Sequence, residues 1–74
     1  MALRKPIAEM SPDEIRAWIH HTREELQRKM QQERFYLDRR AAQGIHTATD
    51  QRYEADVLLE ADLLLLLDEL EASL

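Results

Sequence analysis

A single glycine, Gly44, stands in this 74-residue chain, together with two prolines, Pro6 and Pro12. Tight turns between strands draw on glycine and proline, so a sheet has almost nothing to turn on here. Both prolines lie near the start, which leaves "AAQGIHTATD" as the one strong break in the rest of the chain. Alanine, leucine, glutamate, glutamine and arginine dominate on both sides of it, and all favour helix. Gly44 can take the left-handed conformation that ends a helix. The expected fold is therefore all-α: an N-terminal arm over 1–10, helix 1 over about 12–43, a turn at 44–48 and helix 2 over about 49–73. A link this short makes the two long helices an antiparallel hairpin.

The start of helix 1 carries a full set of local signals in "SPDEI". Ser11 suits the N-cap, Pro12 the first helical position, and Glu14 completes a capping box with Ser11. Met10 and Ile15 occupy the staple positions. Beyond them Ile15, Ile19, Thr22, Leu26, Met30, Glu33, Leu37 and Ala41 recur at spacings of 4, 3, 4, 4, 3, 4 and 4. Their mean of about 3.7 residues describes a nearly straight helix whose seam is interrupted by two polar residues, Thr22 and Glu33. Thr47 with Asp50, or Thr49 alone, can cap helix 2. Folding the two helices together sets Leu37 near Tyr53, Met30 near Ala61, Leu26 near Leu64 and Ile15 near Leu74.

Helix 2 contains five consecutive leucines, Leu63 to Leu67. At about 100° per residue, Tyr53, Val57, Ala61, Leu64 and Leu67 form one stripe. Leu59, Leu63, Leu66, Leu70 and Leu74 form a second, and Leu58 and Leu65 lie on a third side. Only a narrow strip around Asp62 and Glu69 is polar. The wheel alone leaves open which stripe meets helix 1. The register is compatible with the first as the hairpin core, with Ile15, Trp18, Ile19, Leu26, Met30 and Leu37, and does not settle the choice. A helix apolar nearly all round is a buried helix, and one neighbour covers one side only. The second and third stripes are thus expected to meet another chain, either a second copy closing a four-helix bundle or a heteromeric partner supplying a helix or groove. A homodimer is favoured over the alternative in which Leu3, Pro6, Ile7 and Met10 of the arm fold over the leucines and leave a monomer. Phe35 falls opposite the helix 1 seam beside Arg28, and aromatics flanked by arginine are typical interface anchors, so it marks a second contact surface.

Net charge is −5, and it is unevenly spread. Residues 1–49 carry nine basic and seven acidic groups, whereas residues 50–74 carry Arg52 against eight acidic groups. The helices are electrostatically complementary. Arg23, Arg28, Lys29, Arg34, Arg39 and Arg40 could form a phosphate-binding ridge, which makes a nucleic-acid-binding hairpin the rival reading. Glu24, Glu25, Glu33 and Asp38 interrupt that ridge, and the acidic balance runs against nucleic-acid binding. An acidic helix 2 acting as a decoy for a basic partner site is a further alternative.

Nothing points to catalysis. No nucleophile stands with a base, no glycine-rich phosphate loop occurs, and a two-helix hairpin has little room for a preformed pocket. No cysteine is present, which excludes disulfides and thiolate metal sites and fits a cytoplasmic location. His20 and His21 have Glu24 and Glu25 one turn on, but adjacent side chains diverge by about 100° and cannot readily share a metal. Neither cofactor nor metal is expected. "MALRKPIAEM" has no apolar stretch of the kind a secretory signal needs. Val57–Leu67 spans 11 residues, broken by Glu60 and Asp62, whereas a membrane span needs about 20.

In "QGIHTATDQRY" and the leucines that follow, the layout resembles the small helical-hairpin co-chaperones of type III secretion needles: a glycine-marked turn, an early tyrosine, then an aliphatic second helix. The likeness covers most of the chain and includes no specific motif. The functional expectation is a non-catalytic protein–protein interaction module (a small adaptor, assembly factor, chaperone or structural subunit) that binds through the leucine-rich face of helix 2.

Overall fold

The computed structural model describes residues 6–74. A 3₁₀ turn at Ile7–Glu9 precedes two helices, α1 (Pro12–Ala42) and α2 (Ala48–Ala72), which pack against each other as an antiparallel hairpin. Leu3 of the expected arm lies outside the described residues. With 31 residues at about 1.5 Å each, α1 sets the length of the molecule, whose extents are 49 × 22 × 15 Å.

Local chemistry fixes the helix ends. The Ser11 hydroxyl accepts from the Glu14 amide while the Glu14 carboxylate accepts from the Ser11 amide, both at 3.2 Å. At the other end Gly44 adopts φ +73°. Its amide donates to the Ala41 carbonyl and the Ile45 amide donates to that of Arg40, each at 2.9 Å. That pair of bonds is a Schellman motif, and it ends α1 at Ala42, one residue before the expected boundary. Thr47, rather than Thr49, caps α2 through a second capping box with Asp50, so α2 begins at Ala48. The Asp50 carboxylate accepts from the Thr47 amide at 2.6 Å and from its hydroxyl at 2.7 Å.

The hairpin core clusters at the open end. Ile15, Ile19 and Leu67 are buried together, with Met10, Trp18, Leu26, Leu64 and Leu70 packed half-buried around them. Met30 and Val57 are buried further along, and Leu37, Tyr53 and Ala61 are half-buried. The Tyr36 and Tyr53 rings meet edge to face at 5.1 Å near the turn. Ala41 is exposed, so the seam of α1 closes at Leu37 and Arg40.

The α2 seam holds more charge than its sequence led one to expect. Asp50, Tyr53, Val57, Glu60, Leu64 and Leu67 face α1, at alternating spacings of three and four. Two of these six are carboxylates, and both are buried: Asp50 is 1 % exposed and Glu60 4 %. A basic residue of α1 meets each one. Arg40 grips Asp50 with Nε at 2.6 Å and a terminal nitrogen at 3.2 Å, and Lys29 reaches Glu60 at 2.5 Å. Nearer the open end Arg23 bridges Asp68 at 2.7 Å and Glu71 at 3.1 Å. The complementary charges of the two helices are thus spent partly within the hairpin, and these pairs fix how α2 is rotated.

Candidate protein-binding face

Closing the hairpin leaves α2 with apolar surface that α1 does not reach. Leu58, Leu59, Leu65 and Leu66 are 57–69 % exposed, and Leu63 is 39 % exposed. Leu59, Leu63 and Leu66 lie on the flank beside the seam, on the same stripe as Leu70. Leu58 and Leu65 lie across the Asp62–Glu69 strip on the other flank. Leu70, placed by the wheel on the outer stripe, is half-buried against the Ile15–Ile19–Leu67 cluster, and Leu74 is 38 % exposed.

An apolar groove of about 460 Å³ runs between the helices on the first of these flanks. Leu63, Leu66, Leu67 and Leu70 of α2 line one side. Trp18, Thr22, Glu25, Leu26 and Lys29 of α1 line the other, and Ile7 also lines it. From the arm, then, Ile7 lines the groove while Met10 packs against the core, and Leu66 stays more than half exposed.

Where Lys29 borders the groove, two carboxylates share it. Its ammonium stands 2.5 Å from Glu60 and 3.4 Å from Glu33. Both acids are buried, and neither oxygen of Glu33, nor Oε2 of Glu60, has a hydrogen-bond partner. Burial first, and the neighbouring Glu60 second, push the Glu33 carboxyl above its ordinary range. Lys29 is held above the usual lysine value, chiefly by its bond to Glu60. Trp18 Nε1 is a further buried donor without an acceptor.

The six basic residues considered for phosphate contact divide in two. Arg23, Lys29 and Arg40 are committed to acids of α2. The others are exposed: Arg39 stands 5.7 Å over the Phe35 ring, and Arg28 and Arg34 have no ion-pair partner among the described residues. Phe35 itself is 64 % exposed, and with Tyr36, Arg39, Arg40 and Gln43 it lines a second, smaller depression near the turn. Each histidine pairs with one carboxylate: His20–Glu24 at 3.1 Å, His21–Glu25 at 2.9 Å and His46–Glu54 at 2.8 Å. Among the described residues no three His, Cys, Asp or Glu side chains gather into a metal-binding group. No helix among them is long and apolar enough to cross a membrane.

What the sequence missed is the pair of seam acids on α2. The available signal was the basic residue of α1 level with each, Arg40 for Asp50 and Lys29 for Glu60, once the antiparallel register was drawn. No family model, curated protein or solved structure matches the chain significantly, so the likeness to secretion co-chaperones rests on layout alone.

Proposed function

We propose that this chain is a non-catalytic protein–protein interaction module, acting in the cytoplasm as a small adaptor, assembly factor, chaperone or structural subunit. It binds through the leucine-rich face of α2, by closure with a second copy or with a helix of another protein. One observation carries the reading: five leucines of α2 stay exposed once the hairpin has formed, three of them along one continuous flank. Burying a leucine side chain stabilises by roughly 1.5–3 kcal/mol. The whole stability of a domain this small is about 5 kcal/mol, so an uncovered leucine face forgoes as much as folding yields. Contiguous apolar surface of that kind marks an interface.

Leu63→Glu and Leu66→Glu test the reading, because both positions are partly or mostly solvent-exposed and the hairpin tolerates a charge there. Association, read by light scattering or by co-purification with a partner, should be lost in both variants. Circular dichroism should show helicity close to that of the parent chain. If both variants associate as the parent does, the binding face lies elsewhere.

A further inference from the structure

The groove beside α2 finds its complement on the same chain. We propose that two copies pack groove to groove about a two-fold axis parallel to the helices, so that α2 of each copy lies on α1 of the other. This rests on the reading of the leucine face as a protein-binding surface, and commits that surface to a second copy.

Three observations carry it. The first is register. Arg40–Asp50, Tyr36–Tyr53 and Lys29–Glu60 fix which residues of α1 and α2 are level. In that register Leu63 is level with the step between Leu26 and Lys29, Leu66 with the step between Thr22 and Leu26, and Leu70 with the step between Trp18 and Thr22. A two-fold axis along the helices preserves height. The leucines of one copy therefore arrive at the gaps between the α1 side chains of the other, as ridges enter grooves. Every neighbouring pair of helices in the resulting four-helix bundle is antiparallel.

The second is charge at the rim. On α2 the row outside Leu66 contains Asp62 and Glu69; on α1 the row outside Glu25 contains His21 and Arg28. Both pairs are seven residues apart, and the register sets Asp62 level with Arg28 and Glu69 level with His21. Among the described residues neither Asp62 nor Arg28 has an ion-pair partner within its own chain. The two-fold places Asp62 beside Arg28 of the second copy on both edges of the bundle, with Glu69 beside the second copy's His21. The other face-to-face arrangement, with the axis across the helices, lays α2 on α2 in antiparallel fashion and brings Asp62 against the second copy's Glu69. Like charges at such a seam oppose pairing, so the rim selects the first arrangement.

The third is area. The chain exposes 5669 Å². A globular monomer of 8.8 kDa exposes roughly 4,800 Å². The two-helix shape thus leaves uncovered surface that a second seam can cover.

Sedimentation equilibrium of the full chain from about 1 µM to about 100 µM tests the proposal, using the parent, Leu66→Glu, Asp62→Arg, Arg28→Asp and the Asp62→Arg/Arg28→Asp double variant. The expected parent mass is twice that of the chain, and Leu66→Glu is expected to be monomeric with its helical circular dichroism retained. Each single charge reversal weakens self-association about tenfold, since both edges of the bundle are affected, and the double variant recovers most of the loss. A dimer that tightens on Asp62→Arg overturns the proposal in favour of α2 on α2. A dimer indifferent to both reversals overturns it as well. A parent chain that stays monomeric throughout overturns self-pairing, yet leaves the leucine-face reading intact with a different protein as occupant. That broader reading fails separately, if Leu63→Glu and Leu66→Glu both retain binding.

Discussion

Glu33 and Asp50 are both carboxylates buried in the hairpin seam, and they act on stability in opposite directions. Asp50 accepts from the Thr47 amide and hydroxyl and from Arg40, so its charge is fully answered and its carboxyl lies well below the ordinary range, with Arg40 the largest cause. Glu33 has the edge of Lys29 and no hydrogen bond, and burial raises its carboxyl above that range. A raised carboxyl binds protons more readily folded than unfolded. Its ionisation cost is therefore absent below the ordinary glutamate value of about 4.3 and grows as pH rises through the folded value. Glu33→Gln should stabilise the hairpin by on the order of 1 kcal/mol at pH 7, and by progressively less as pH falls toward 4. Asp50 has the depressed value, so its contribution is present above the ordinary aspartate range and is lost as pH falls through the folded value. Asp50→Asn should lower the thermal midpoint at pH 7, and the gap from the parent should narrow in acid. Thermal melts of both variants between pH 3 and pH 8 decide the matter. A Glu33→Gln gain that is as large in acid as at neutrality would show that Glu33 acts by shape and not by charge.

The two helices differ in how far their sequences announced them. Ser11 with Glu14, Gly44, and Thr47 with Asp50 each act within a few residues, so the helix ends were legible from local chemistry. The register was legible too, because α1 has a single narrow apolar seam and a short turn permits little slippage. The rotation of α2 was only partly legible. Leucine occurs nearly all round this helix, so no one face wins on hydrophobicity, and the choice falls to where Arg40 and Lys29 of α1 find acids. That rotation draws Glu60 into the seam and turns Leu70 toward Ile15 and Ile19, while Leu66 stays outside. Leu66 and Leu70 lie on one sequence stripe, yet their substitution should have different consequences. Leu70→Glu places a charge against the core and should cost about 2–4 kcal/mol of hairpin stability. Leu66→Glu should leave the isolated hairpin within about 0.5 kcal/mol of the parent and act on association alone. Urea unfolding of both variants at a concentration too low for self-association separates the two. Equal destabilisation by Leu66→Glu would mean that Leu66 belongs to the hairpin core.

At the scale of the molecule, a hairpin 49 Å long and 15 Å thick is a poor shape for burying surface. Two layers of helix have no interior beyond their seam, and three of the positions within that seam, Glu33, Asp50 and Glu60, are acids. A four-helix bundle adds a second seam, built from the flank with Leu59, Leu63 and Leu66. If folding is completed by that second seam, stability depends on chain concentration, because the dimer binds the folded form and not the unfolded one. A tenfold rise in concentration contributes about 1.4 kcal/mol per dimer, or about 0.7 kcal/mol per chain. For a domain of this length that corresponds to a rise in thermal midpoint of roughly 3–5 °C. Scanning calorimetry of the parent chain over a hundredfold range should show the midpoint climbing by about twice that amount, with Leu66→Glu holding a constant and lower midpoint. A parent midpoint indifferent to concentration would mean that the hairpin folds to completion alone. Its leucine face would then be reserved for a different chain, whose addition should raise the midpoint instead.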